Sequence, residues 1–154
     1  MKNCKLSWSL VAILSIVVAA FSYKFTVGEV KPSEDGRLAV QLTKNERNAL
    51  LLEMRTWLQS SQSIIEAVSA KNFEEVSRVA KISGMAAEAE TPASLFRKLP
   101  AEMKVLGFDT RKKFDEIAAD AIKLKNPEHT IKQLGNTMSN CVACHAVYRF
   151  TEVE

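Results

Sequence analysis

The chain opens on an apolar stretch from Leu6 to about Phe21, broken only by Ser7, Ser9 and Ser15 and preceded by Lys2 and Lys5. A short positive region, an apolar run and the small residues Val18-Ala19-Ala20 form the pattern of an export leader cut after Ala20. Leu6 to Tyr23 also reaches the lower edge of the roughly 17–25 apolar residues that a spanning helix needs. Residues 1–23 are therefore read as a signal peptide or a membrane anchor. Both readings carry the rest of the chain across the membrane with its positive end left inside. Cys4 falls in this segment and is read as inert. Residues 24–41 follow as a flexible tether, because Lys31-Pro32-Ser33-Glu34-Asp35-Gly36-Arg37 has no apolar period.

From residue 42 to 154 the pattern is helical, with no strand-like alternation of useful length and no internal repeat. Helix A starts near Thr43, where Thr43 and Glu46 form a capping box, and runs to about Ala70. Its apolar positions are Leu50, Met54, Trp57, Leu58, Ile64, Ile65 and Val68. Helix B begins after a tight break at Lys71-Asn72 and buries Val76, Val79, Ala80 and Ile82, with Gly84 near its end. Residues 90–107 look less regular because Pro92 and Pro100 interrupt them. Leu95, Phe96, Leu99, Met103 and Leu106 are expected to cover one end of a core. Helix C spans about Asp109 or Thr110 to Lys125, with Phe114, Ile117, Ala118, Ala121, Ile122 and Leu124 on its apolar side. Asn126-Pro127 then opens helix D, with Pro127 suited to a first turn. Helix D carries Ile131, Leu134, Met138, Cys141, Cys144, His145 and Tyr148. The fold class expected is all-α, an antiparallel four-helix bundle preceded by the leader or anchor helix.

Charge and composition narrow the functional classes. The 154 residues carry a net charge of +3, with five Gly and four Pro. Without Lys2 and Lys5 the remainder is near +1, too weak to argue for nucleic acid. No basic run is interleaved with aromatics, which also speaks against a nucleic-acid partner.

Cys141-Val142-Ala143-Cys144-His145 is the most specific chemistry in the chain. Residues three and four apart share a helix face. Both cysteines can thus reach one edge of a porphyrin and form thioethers with its two vinyl groups, with His145 aimed at the iron. The Cys-x-x-Cys-His pattern is that of covalent haem c attachment, one haem through Cys141 and Cys144. The alternatives are a disulfide or redox-active pair, which usually precedes its own helix in a strand-containing fold, and half of a zinc site. The latter needs two further ligands, and His129 is the only other histidine.

The motif lies on the last helix of a four-helix pattern and continues as Ala146-Val147-Tyr148-Arg149. It resembles the C-terminal motif of the cytochrome c′ family and its low-spin relatives of the cytochrome c-556 type. The resemblance covers roughly residues 42–150. It implies a haem on the C-terminal helix with His145 as proximal iron ligand. It also implies a distal ligand from the first helix, in a register that falls on Met54. A thioether there would raise the reduction potential; the plainer reading of Met54 is a core residue. Met85, Met103 and Met138 are weaker candidates. Arg149 falls where the family carries a basic residue near a haem propionate; a solvated arginine on the last helical turn is the alternative. Arg55 is read as a surface charge. Tyr148, Trp57 and Phe114 are read as ring-packing or core residues, and His129 as exposed and not a ligand.

The resemblance implies a one-electron carrier and no enzyme, on the periplasmic side of a bacterial membrane. Its partners would be redox proteins, with inner-membrane association through the N-terminal segment. Members often dimerise through their first two helices, though no motif in this chain demands it. The alternatives are a five-coordinate haem protein open to nitric oxide or carbon monoxide, and the haem subunit of a membrane redox complex.

Overall fold

The computed structural model describes residues 2–153, without the side chains of residues 2–6 and 88–90. Lys2, Cys4 and Lys5 as side chains thus lie outside the described residues. In chain order the elements are α1 (Lys2–Val27), β1 (Val30–Pro32), β2 (Leu38–Leu42), α2 (Lys44–Ser69), α3 (Phe73–Ile82), a 3-10 turn (Met85–Glu90), α4 (Ala93–Lys98), α5 (Ala101–Leu124), α6 (Pro127–Val147) and β3 (Tyr148–Glu152). The fold is mostly helical, with one small three-stranded sheet.

Local chemistry starts α2, α3 and α6 where expected. At α2 the Thr43 hydroxyl accepts from the Glu46 amide at 3.4 Å, and Glu46 Oε2 accepts from the Thr43 amide at 2.8 Å. Asn72 accepts from Glu75 N at 3.0 Å to open α3, and Asn126 accepts from His129 N at 3.1 Å to open α6, with Pro127 in the first turn. Lys71 and Lys125 take left-handed backbone conformations that make the breaks before α3 and α6.

Two expectations are corrected. Helix α5 begins at Ala101, about two turns before Asp109, because Pro100 is its N-cap and begins the helix instead of interrupting one. Residues 24–41 are not a tether. Helix α1 continues to Val27, and β1 pairs antiparallel with β2, Val30 opposite Val40. Strand β2 then pairs in parallel with β3, from Leu38 opposite Tyr148 to Leu42 opposite Glu152. Tyr148 and Arg149 therefore stand on a strand, not on the last turn of α6. These strands are three to five residues long and pair across the chain, so no local period announces them.

Two apolar clusters hold the domain. In one, Ile64 and Val68 of α2, Phe73, Val76 and Val79 of α3, Phe114 and Ile117 of α5 and Leu134 of α6 pack together. In the other, Val40 and Leu42 of β2 meet Leu50, Leu95, Leu99, Met103 and Tyr148, with Cys144 against them. Leu58 and Ile65, expected on the buried stripe of α2, are exposed, and so are Ile82, Ile122 and Leu124.

Candidate functional site

Beside these clusters the α2, α5 and α6 helices leave a largely apolar cavity of about 530 Å³. That volume lies within the 300–1,000 Å³ typical of small-molecule and cofactor sites. Cys141, Cys144 and His145 line it from α6, and Met54 lines it from α2. Four of the five residues singled out in the sequence thus meet at one hollow. The β2–β3 pairing helps to fix that meeting. Strand β2 leads into α2 through Thr43, and β3 leaves α6 at Val147, so the parallel ladder ties the start of one wall to the end of the other.

The cysteines are half-buried and not joined in a disulfide. Burial pushes both thiols above their ordinary value, and the proximity of Cys141 adds to the rise at Cys144. A redox-active thiol needs the opposite environment, one that favours thiolate. Among the described residues no three His, Cys, Asp or Glu side chains are grouped so as to hold a metal ion. A macrocycle that brings four nitrogens of its own needs from the chain only thioether anchors and axial ligands, and those donor types line the cavity. The residues present fit a haem c.

Arg149 does not line the cavity. Its guanidinium sits 3.3 Å from Asp35 Oδ2, and Asp35 also pairs with Arg37 at 2.6 Å. Hydrogen bonds from Arg37 and Ser33 hold the Asp35 carboxyl far below the usual carboxylate range. Arg37 in turn donates to the His145 carbonyl at 3.3 Å, so a cation caps the C-terminal end of the helix bearing the motif. His129, expected to be exposed, is only partly so and lies 2.9 Å from Asp120 Oδ2; it does not line the cavity. Met103 and Met138 line the same cavity as Met54, whereas Met85 does not.

Polar residues that sequence reasoning passed over complete the wall. Arg111 of α5 is buried, forms an ion pair with Glu53 and donates to the Gly84 carbonyl at 3.3 Å. Its guanidinium carbon lies 5.5 Å from the Trp57 ring centre. Arg111 falls in step with Phe114, Ala118 and Ala121, and a charge on an apolar stripe was the available signal. A smaller hollow of about 380 Å³ shares Glu53, Trp57 and Arg111 with the main cavity and contains none of the motif residues. Asn140, next to Cys141, donates to Asp109 at 2.7 Å and accepts from Lys113 at 3.1 Å, which locks α6 to α5 beside the motif.

Compared with family models, curated proteins and solved structures, the chain matches none.

Proposed function

We propose that this chain is a c-type cytochrome akin to the cytochrome c′ and c-556 proteins, acting as a one-electron carrier on the periplasmic side of a bacterial membrane. The observation that carries the reading is the common cavity: Cys141, Cys144 and His145 from α6 share one apolar hollow with Met54 from α2. Helices α2, α3, α5 and α6 would be the family's antiparallel four-helix bundle. Cys141 and Cys144 would hold a haem c by thioether bonds, and His145 and Met54 would bind its iron. When bound, the haem supplies a one-electron ferric/ferrous couple.

The chain's own residues would set the conditions for that couple. The cavity lining is mostly apolar, and a Met54 thioether would favour the reduced state of a bound iron. Glu53 precedes Met54 and is pinned by Arg111, which fixes the turn of α2 presenting the thioether. Arg37 fixes the His145 carbonyl on the other wall. The function proposed is electron transfer, with redox proteins as partners.

The ferric absorption spectrum of the purified protein tests this. It should be low-spin, with the weak red band of a methionine–iron bond, and Met54→Ala should abolish that band. The denatured chain should keep its haem colour, and Cys141→Ala with Cys144→Ala should lose it. A high-spin spectrum in the unmutated protein would refute the Met54 assignment and favour five-coordinate binding of diatomic gases.

A further inference from the structure

The apolar N-terminal helix joins the domain through a clamp. Gly28 ends α1 with a φ of +71° and lies against the backbone between α4 and α5, where a Cβ would come within 2.5 Å of Lys98 O and 2.7 Å of Pro100 N. Only glycine suits both the conformation and the approach. Glu29 N donates to Lys98 O at 2.8 Å. Lys104 of α5, 6% exposed, donates from Nζ to Phe25 O at 3.1 Å and stands 3.7 Å over the Phe25 ring. The last carbonyls of a helix lack intrahelical donors and form the negative end of its dipole, so a buried ammonium there satisfies both deficits. Phe96 packs against Phe25 at 6.4 Å and against Phe108 at 5.9 Å between ring centres.

By length and composition α1 is sufficient to cross a membrane. The apolar span Ser7–Val27 has 21 residues, a mean hydropathy of 2.0 and no part buried by the domain. At the helical rise it is about 31 Å long, against about 30 Å of hydrocarbon in a bilayer. Its clamped end then falls at the outer boundary. Phe21, Tyr23 and Phe25 are more than half exposed there, as aromatics at a membrane interface are. A cut after Ala20 would instead leave them on a seven-residue stub in water. On the domain side of the clamp Val105 is 65% exposed. Phe96, Lys104 and Phe108 belong both to the clamp region and to the wall of the cavity.

We propose that α1 stays attached as a membrane anchor, and that the clamp at Phe25–Gly28 seats the face around Phe96, Val105 and Phe108 on the lipid headgroup surface. One cavity wall is thereby held at the bilayer in a fixed orientation. The proposal rests on the export reading above and is independent of the haem.

The test uses the full chain in vesicles of phosphatidylethanolamine and phosphatidylglycerol, with Cys4→Ser and a nitroxide label on Val105→Cys; where the ferric spectrum shows no haem, Cys141→Ser and Cys144→Ser are added so that residue 105 alone carries the label. The ratio of oxygen to nickel-chelate accessibility should exceed that of an aqueous nitroxide several-fold. Gly28→Ala, and separately Lys104→Met, should return the ratio toward the aqueous value while α1 stays in the vesicles and the helical circular dichroism is kept. An aqueous ratio in the unmutated background overturns the proposal. So does a ratio that neither variant changes, or a mature protein beginning after Ala20. The ferric spectrum of the same samples separates failure of the haem assignment from failure of the membrane orientation.

Discussion

Arg111 of α5 is ion-paired with Glu53 of α2, the residue immediately before Met54. The Arg111 side chain is 3% exposed and that of Glu53 is 24% exposed. Removing one member of a buried pair costs more than the pair contributes, because the other charge is left desolvated. Arg111→Ala should destabilise the domain by about 2–3 kcal/mol, below the full cost of a completely buried pair since Glu53 still reaches water. Denaturant unfolding followed by circular dichroism measures this. If Met54 binds iron, the red band should weaken in the same variant.

Leu42 ends β2 and is fully buried in the cluster that supports Cys144. Leu42→Ala should cost about 3 kcal/mol, from lost burial and the cavity left behind. The same methods detect it. Because β2 ties α2 to the end of α6, the variant should also broaden any absorption feature that depends on Met54 and His145 together.

Thr43→Ala removes the hydroxyl half of the capping box at α2. The expected loss is about 1 kcal/mol. Thr43→Ser should recover most of it, which separates capping from packing; thermal melts of the two variants make the comparison.

Several carboxylates link stability to acid. Burial would raise Glu46, but hydrogen bonds from Lys98 at 2.7 Å and from Thr43 outweigh it and hold the carboxyl below its ordinary value. Asp109 is lowered by Lys113 and Asn140, and Asp120 by His129 and then Gln133. Each folded value lies below the unfolded one, so each contribution is present above about pH 4 and is lost as the pH falls through the folded value. The melting temperature should change little between pH 7 and 5 and drop below about pH 4. Glu46→Gln should melt lower at pH 7 and show a shallower acid loss.

What could be read from the sequence was local. Thr43 with Glu46, Asn72 with Glu75 and Asn126 with Pro127 act within one helical turn, so the starts of α2, α3 and α6 were legible. Cys141, Cys144 and His145 share a helix face by spacing alone, and Met54 came forward only through the register of a resembling family. Pro100 misled because the same ring can end one helix or begin the next, and only tertiary packing of residues 101–108 decides which. The partners of Arg111, Asn140 and Lys104 lie on other elements, so their charge or polarity was visible while their role was not. Arg149 was misplaced because a five-residue strand paired with residue 39 leaves no periodic trace of its partner.

The parallel ladder between β2 and β3 also orders events in time. Leu38 and Tyr148 are neighbours in space but 110 residues apart along the chain, so their pairing closes a loop around α2 to α6. Closing so long a loop before other contacts form is entropically slow. Under the proposed export from the N-terminus, β2 would emerge early and wait for β3. Until β3 pairs, the helix carrying Cys141 and Cys144 is not zipped to the strand before α2, and both thiols would stay open to the haem attachment proposed above.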